Sequence, residues 1–319
     1  MKSSAGHANR PAPGPLAHLL SLRRPAILDG AMGTELARRG ENTALPLWSA
    51  GPLESAPDAV QRIHADYIAA GAEIITTDTF RTTRRTFARA GLADRSAQLT
   101  AQAVTLAREA RDASGRADVL IAGSIAPLED CYHTELVPPD AALTEEHAEL
   151  AGRLADAGVD FLLLETMGTI REACAAAAAA RATGREFVVS FLCKTNGALY
   201  GGEPVAEAVR LIAPLHPAAF AINCVSPRHM SVPLAHLRAA LAAHAAGEET
   251  PVGLYGNVGI PGAEISMDDG QSIIEDVGPG EYAAFAGEWM QLGVAIVGGC
   301  CGTTPEHIRA VAQRLGRRV

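Results

Sequence analysis

The feature that most constrains the fold of this chain is an alternation, repeated along almost its whole length, of short aliphatic segments with longer amphipathic ones. Short aliphatic runs bounded by turn residues are typical of buried parallel strands, and segments with a helical period cover such a sheet on both faces. Eight runs predict eight strands, at residues 26–28, 73–77, 119–122, 161–164, 187–191, 219–222, 251–254 and 295–297.

The segments between these runs predict helices, several of which have recognisable ends. Thr304-Pro305-Glu306 places proline at a first helical position, and Ala157-Gly158 places glycine just past a helix end. The predicted helices include residues 57–70, 96–113, 144–157, 169–183, 232–246, 280–292 and 305–315.

Eight strand–helix units in a chain of 319 residues predict a (β/α)8 TIM barrel that forms a single domain over residues 26–319. A doubly wound sheet is the competing architecture, and it would carry a GxGxxG nucleotide motif after the first strand. Residues 29–34 read DGAMGT instead, which favours the barrel. The stretch 256–280 is rich in Gly, Asp and Pro and is a candidate lid.

The charge balance excludes some classes of partner. The chain has 36 acidic and 27 basic residues, a net charge of −9, which argues against nucleic acid and against an anionic membrane surface. Residues 1–25 contain no apolar run that fits a signal peptide, and we expect them to form a disordered leader. We therefore predict a cytoplasmic protein that binds small molecules, with homo-oligomerisation left open.

Three of the six cysteines follow predicted strands, where the active sites of such barrels are built. Cys224 comes after the sixth strand, and Cys300 and Cys301 come after the eighth. Successive residues of a strand point to opposite faces, so the adjacent pair can reach one ion only where the backbone leaves strand geometry. Glycines on both sides of the pair allow this. Three thiolates would leave a tetrahedral zinc ion with one open position, as in catalytic sites.

An open position on a three-thiolate site suits a soft ligand such as a substrate thiol, which coordination deprotonates at neutral pH. Alkyl transfer to that sulfur is the simplest chemistry, and it requires no catalytic side chain beyond the zinc-activated substrate thiolate. Cys131, Cys174 and Cys193 are predicted to be small buried hydrophobic residues. Cys193, at the end of the fifth strand, is the one additional ligand that the pattern allows.

Two carboxylates also follow strands. Asp29 and Glu165 are predicted to bind a substrate ammonium, and Gly30 and Asn223 complete the predicted substrate-binding set. Asp78 lies in a threonine-rich stretch and is expected to be occupied by turn hydrogen bonds. Three histidines in predicted helices are expected at the surface: His64, His147 and His307.

Four segments resemble the homocysteine S-methyltransferase family: LDGAMGTEL at 28–36, LLLETM at 162–167, AINC at 221–224 and GGCCGTTPEHI at 298–308. The resemblance extends from about residue 25 to 315. It implies a (β/α)8 barrel, a zinc ion held by Cys224, Cys300 and Cys301, and transfer of a methyl group to homocysteine to form methionine. It also implies that Asp29 and Glu165 hold the ammonium of the amino acid.

The methyl donor differs between branches of that family. PLWSA at 46–50 resembles the branch that uses S-methylmethionine or S-adenosylmethionine, whereas TFRTT at 79–83 is closer to the betaine and cobalamin branches, and YGNV at 255–258 departs from the Tyr-Pro-Asn of the first. An onium donor should contact an aromatic face, which makes Trp48, Phe80, Tyr255 and Tyr132 candidates.

We expect S-methylmethionine or S-adenosylmethionine as the donor. The alternatives are a betaine-dependent enzyme, a methyltransferase for another thiol or a selenol, and a zinc-binding or redox-sensing barrel without catalysis. Strand-end carboxylates argue against the last of these, because a sensor needs thiolates but no amino-acid pocket.

Overall fold

The computed structural model describes residues 14–244, 250–259 and 277–317. Eight strands run through these ranges, each close to a predicted one: β1 (Ala26–Ile27), β2 (Ile74–Thr76), β3 (Leu120–Ile125), β4 (Phe161–Met167), β5 (Glu186–Phe191), β6 (Ala219–Asn223), β7 (Val252–Gly256) and β8 (Ile296–Gly299). All seven pairings between neighbouring strands are parallel, and the order in the sheet is β1-β8-β7-β6-β5-β4-β3-β2.

Helices follow the strands in the manner of βα units. In the described residues they are α1 (Pro15–Ser21), α2 (Gly33–Arg38), α3 (Pro52–Ser55), α4 (Pro57–Ala69), α5 (Arg84–Arg89), α6 (Ser96–Ala113), α7 (Asp140–Ala157), α8 (Ile170–Ala182), α9 (Val205–Ile212), α10 (Ser231–His244), α11 (Pro279–Gln291) and α12 (Pro305–Arg314).

The sheet is a nearly closed barrel. Its two end strands, β1 and β2, are connected by a bridge between Leu28 and Ile74, and the Asp29 N–H donates to the Ile74 carbonyl at 2.9 Å. At the opposite end of this seam, the Glu73 N–H donates to the Ile27 carbonyl at 2.7 Å. The predicted (β/α)8 fold is therefore confirmed.

The apolar core has two layers, because alternate strand residues point into the barrel and out toward the helices. In β2, Ile74 packs inside the barrel with Leu28 and Phe161, whereas Ile75 packs in the outer layer with residues of the helices. The interior is thus filled by side chains, and the functional groups lie at the carboxyl ends of the strands.

Helix α1 corrects the prediction of a disordered leader through residue 25. Leu16 is fully buried in the cluster that fills the barrel interior. The Glu186 carboxylate, at the start of β5, accepts hydrogen bonds from the N–H groups of Gly14, Leu16 and Ala17, which a free helix end would leave unpaired. Residues 1–13 lie outside the described ranges.

The histidine prediction was wrong. His64 and His147 are fully buried, and His307 is largely buried. They lie on buried faces of α4, α7 and α12. His147 Nε2 lies 3.3 Å from the Glu172 carboxylate, and His307 forms a capping box with Thr304 at the start of α12.

The structure tests the candidate lid only in part and also addresses membrane-spanning helices. Most of the candidate lid, residues 260–276, lies outside them. Within the ranges that are described, no helix is long and apolar enough to cross a membrane.

Candidate metal centre

Three thiols meet at the carboxyl end of the barrel. Cys224 follows β6, and Cys300 and Cys301 follow β8. The Cys224 sulfur lies 2.7 Å from that of Cys300 and 3.7 Å from that of Cys301, and all three sulfur atoms lie within 4.8 Å of one another. This is the one such group of metal-ligating side chains in the part of the chain that the structure describes.

The backbone leaves strand geometry at the cysteine pair, as the sequence predicted. Strand β8 ends at Gly299, the Cys300 N–H donates to the Gly256 carbonyl, and the Cys301 carbonyl accepts from Val258 N–H. Gly302 has φ +79°, and a Cβ there would lie 1.6 Å from the Gly259 carbonyl oxygen. Glycine at this turn therefore lets both cysteines face Cys224.

The set of donors fits a zinc ion. A tetrahedron with zinc–sulfur bonds of about 2.3 Å has an edge of about 3.8 Å, close to the 3.7 Å between the sulfurs of Cys224 and Cys301. The shorter contact between Cys224 and Cys300 would have to open by about 1 Å, which a side-chain rotation can provide. Soft thiolate ligands of this kind select zinc over the hard cations.

The three thiols form hydrogen bonds with one another. Bonds with Cys300 and Cys301, together with burial, raise the pKa of Cys224 well above that of a free thiol. The bonds that Cys224 and Cys300 donate hold the pKa of Cys301 well below it. One thiolate is thus stabilised by two neighbouring thiols, which is the protonation state from which a metal displaces protons.

Asn223 holds this centre in place. Its Oδ1 accepts from the Thr166 N–H at 2.9 Å and from the Ser190 hydroxyl at 2.7 Å, and its Nδ2 donates to Thr166 Oγ1 at 2.9 Å and to Cys300 Sγ at 3.8 Å. All four hydrogen-bonding positions of the amide are therefore used within the protein. The amide thus connects Thr166 and Ser190 to Cys300, and its contact with substrate stays a prediction.

Asp29 is buried beside the centre. Its carboxylate accepts from the Thr76 N–H at 2.7 Å and from the Thr76 hydroxyl at 2.9 Å. Burial, supported by the nearby charge of Glu165, raises the pKa of Asp29 to about 8. Gly30 follows, and a Cβ there would lie 2.7 Å from the Tyr67 hydroxyl, so the sequence position requires glycine for packing.

Glu165 is the second acid at this end of the barrel. The register of β4 shifts between Leu164 and Met167, and Thr166 has φ +63°, so the chain bulges where the carboxylate is presented. Ser124 donates to the Glu165 carboxylate. Burial and the nearby Cys300 sulfur raise the pKa of Glu165 to about 8, which places this acid next to the thiols.

The aromatic residues predicted to contact a methyl donor lie on separate segments of the barrel and differ in burial. Trp48 is half-buried and has φ +50°, with its indole nitrogen 2.3 Å from where a Cβ on Gly33 would lie. Phe80 is half-buried in the loop after β2, with the Arg81 guanidinium 5.7 Å from its ring centre. Tyr255 is buried in the barrel interior, packed against Cys300, so it forms the floor of the centre.

Sequence reasoning missed one aromatic residue at the thiols. Tyr200, in the loop after β5, packs against Cys224 and makes an edge-to-face contact of 5.5 Å with Tyr132. Both tyrosines belong to the cluster around the three cysteines. The strand-end rule would have found Tyr200 only if the loop after β5 had been followed beyond its first residues.

The remaining cysteines do not join the metal-binding group. Cys193 is buried in the outer core, which argues against the extra-ligand role that the sequence allowed. Cys174 is half-buried on α8. Cys131 packs beside the three thiols, and burial raises its pKa far above the usual range, so it remains a protonated neighbour.

Comparisons with known proteins agree with this geometry. A family model described as homocysteine S-methyltransferase matches residues 26–315. Homocysteine S-methyltransferase YbgG of Bacillus subtilis (strain 168) is 31% identical over 316 residues, covering 93% of this chain and 96% of that protein. Homocysteine S-methyltransferase of Escherichia coli (strain K12) is 32% identical, with 94% and 98% covered.

Among solved structures, the metallated form of the Escherichia coli homocysteine methyltransferase MmuM superimposes with a TM-score of 0.79 at 30% identity, covering 94% of this chain and 99% of that one. The chain belongs to the homocysteine S-methyltransferase family.

Proposed function

We propose that this protein is a zinc-dependent enzyme that moves a methyl group from an onium donor to the sulfur of homocysteine, forming methionine. The observation that carries the proposal is the meeting of three thiols with two acids, one buried and one partly buried, at one end of the barrel. The thiols account for a soft metal ion, and the acids account for an amino-acid substrate.

Cys224, Cys300 and Cys301 would hold the zinc ion, which when bound supplies a Lewis acid that keeps the homocysteine sulfur deprotonated at neutral pH. The protein itself then needs no general base. Cys300 receives a hydrogen bond from Asn223, whose own partners lie on β4 and β5, so the ligand set is fixed by three strands.

Asp29 and Glu165 would orient homocysteine by its ammonium group. Asp29 is buried and Glu165 is partly buried, and each has its pKa raised to about 8, so an ammonium placed against them restores their ionised forms. Thr76 and Ser124 hold the two carboxylates in place by hydrogen bonds. Binding the amino acid at this point directs its sulfur toward the neighbouring thiols.

The donor would be a methylated cation, with S-methylmethionine or S-adenosylmethionine preferred and betaine as the alternative. In the transfer, the homocysteine sulfur forms a bond to the methyl carbon, and the bond from that carbon to the donor's sulfur or nitrogen breaks. The bonding pair stays on the donor, which leaves as a neutral thioether or amine. Aromatic side chains around the thiols, among them Tyr132 and Tyr200, suit a cationic donor.

A donor panel tests the proposal. Zinc-loaded protein is assayed for methionine from homocysteine with S-methylmethionine, S-adenosylmethionine and betaine, and its zinc content is measured. We expect one zinc per chain and methionine from at least one donor. Protein that binds zinc through three cysteines but forms no methionine from any donor would contradict the enzymatic role.

A substitution at the acid pair tests the binding mode. Asp29→Asn removes one counter-charge of the ammonium, and we expect the KM for homocysteine to rise about tenfold or more with the zinc content unchanged. Asp58→Asn, an exposed acid at the start of α4, is the matched control and should leave the KM unchanged. Loss of zinc from the Asp29→Asn variant would show instead that the acid supports the metal centre.

A further inference from the structure

Asp78 is a buried acid that the proposed reaction does not use. It is 2% exposed, and neither oxygen of its carboxyl group accepts a hydrogen bond from the residues that the structure describes. None of the lysine, arginine or histidine nitrogens in those same ranges forms an ion pair with it. The threonine-rich turn around it, expected to satisfy this side chain, bonds to other groups.

The neighbours of Asp78 in the chain are fixed to the two acids that would hold homocysteine. Thr76 bonds to Asp29. Thr79 donates to the Ser124 carbonyl at 2.7 Å, and the hydroxyl of that same serine donates to Glu165. The Thr79 N–H also donates to the Thr77 carbonyl at 2.8 Å, so Asp78 is the central residue of a tight turn. Asp78 therefore lies at the reacting end of the barrel.

The segment that faces Asp78 carries an aromatic residue. The Ser49 hydroxyl faces Asp78 as a weak hydrogen-bond donor, outside normal hydrogen-bond geometry, and partly offsets the rise in the pKa of Asp78 that burial causes; Trp48 precedes Ser49 in the chain. Trp48 has φ +50°, in the left-handed region that large side chains rarely adopt. Backbone strain of this kind is concentrated at ligand sites. The residue that faces the buried carboxyl group is thus the immediate neighbour of a strained tryptophan.

We propose that the Asp78 carboxylate is the counter-charge for the onium centre of the methyl donor, with Trp48 as the aromatic wall of the same subsite. A buried carboxylate without a cationic partner is costly unless a cation joins it. The ammonium of homocysteine is accounted for by Asp29 and Glu165, which leaves the donor as the cation for Asp78. This inference rests on the proposed methyl transfer and adds the residue that selects the donor by charge.

Charge selection has a consequence for turnover. The donor is cationic before transfer, and its remnant is neutral afterwards, so a carboxylate at this place favours the donor over the product that must leave. Because the positive charge is already fading in the transition state, the carboxylate stabilises bound donor more than it stabilises the transition state. Loss of the charge should therefore raise the KM for donor without lowering kcat.

Asp78→Asn keeps the shape of the side chain and removes the charge. With homocysteine saturating and S-methylmethionine varied, we expect the KM for S-methylmethionine to rise about tenfold to hundredfold, with kcat and the KM for homocysteine within about twofold of wild type. Asp58→Asn, which makes the same change of net charge at an exposed position on α4, should leave all three constants unchanged.

A binding measurement separates this inference from the proposed function. Calorimetry on zinc-loaded protein without homocysteine compares S-methylmethionine with methionine, which has the same amino-acid end but no positive charge on sulfur. Wild type should prefer S-methylmethionine about tenfold or more, and Asp78→Asn should bind the two equally, whether or not the protein forms methionine. Equal affinities in wild type, or a preference that survives in Asp78→Asn, would overturn the role of Asp78. An absence of methionine with the charge preference intact would overturn the methyl transfer alone.

Discussion

Two residues beside the thiols have left-handed backbone angles, although neither is glycine. Thr166 has φ +63° and Cys224 has φ +56°. Such conformations cost on the order of 1–3 kcal/mol each and persist where surrounding contacts enforce them. Here the side chain of Asn223 bonds to both the N–H and the hydroxyl of Thr166. The strain is thus held by one buried amide, and it presents Glu165 and Cys224 to the same centre.

His64 predicts a specific loss of stability in acid. Both ring nitrogens are buried without a partner in the described residues, and burial lowers the pKa of His64 from 6.5 to about 4. In the unfolded chain the His64 imidazole is therefore protonated below pH 6.5, whereas in the folded chain it is protonated only below about pH 4. The contribution of His64 to stability is fully present above pH 6.5 and falls between pH 6.5 and 4, and the total loss reaches about 3 kcal/mol at the lower limit.

Denaturant unfolding at pH 7.5, 5.5 and 4.5 measures this effect. His64→Leu should remove that part of the pH dependence, so that the variant gains on wild type as the pH falls. His244→Gln, at an exposed position at the end of α10, should retain the slope of wild type. Parallel curves for wild type and His64→Leu would show that this imidazole titrates normally in the folded protein.

For single residues, the position after a predicted strand was enough to identify the candidate thiols and acids. It was not enough to identify the side chains that hold them in place. Cys224 and Glu165 could be predicted because they follow aliphatic runs, and barrel topology brings such positions together. The role of Asn223 could not, since it depends on four hydrogen bonds between separate strands. His64 was misplaced because polarity was taken as a sign of exposure.

Among the secondary-structure elements, the strands could be predicted to within a few residues, because buried parallel strands consist of short, continuous aliphatic runs in the sequence. Helix α1 was not, since it is too short to be stable alone and depends on distant groups. Its first turn is capped by Glu186, a carboxylate 170 residues away from Leu16 in the sequence. The bulge in β4 likewise has no local signal, because hydrogen bonds to β6 hold it.

Docking of α1 can be tested by truncating its buried side chain. Leu16 is fully buried at the amino-terminal end of the barrel, so Leu16→Ala should lower the free energy of unfolding by about 2–5 kcal/mol in a urea titration. Leu22→Ala is the matched control, because Leu22 follows the same helix with 46% of its side chain exposed, and the loss should be within about 0.5 kcal/mol. Equal small losses would show that α1 does not close the barrel in solution.

At the scale of the whole molecule, the candidate site joins parts of the barrel that are far apart in sequence. The acids come from the ends of β1 and β4, and the thiols from the ends of β6 and β8. Asp29 also bridges the seam where β1 and β2 lack a continuous ladder, through its bonds to Thr76. The (β/α)8 architecture could be predicted because eight units repeat, but the place of the seam could not.

This arrangement predicts that the metal stabilises the entire barrel. The three sulfur atoms are close together only in the folded chain, so an ion bound there favours folding by an amount set by its concentration over its Kd. At a hundredfold excess over the Kd, the gain is about 2.7 kcal/mol, which corresponds to a rise of several degrees in Tm. We expect zinc-loaded protein to melt higher than the same protein treated with a chelator, by differential scanning calorimetry.

Variants at two cysteines assign that shift to the site. Cys224→Ser removes one ligand, and its Tm should no longer respond to chelation. Cys174→Ser changes a half-buried thiol on α8 that lies outside the group of three, so its Tm should still fall when zinc is removed. A response that disappears in both variants, or persists in both, would mean that zinc stabilises the protein from another place. Because the ligands follow β6 and β8, a Tm shift that is lost in Cys224→Ser and kept in Cys174→Ser would show that one ion couples these strand ends to the stability of the whole fold.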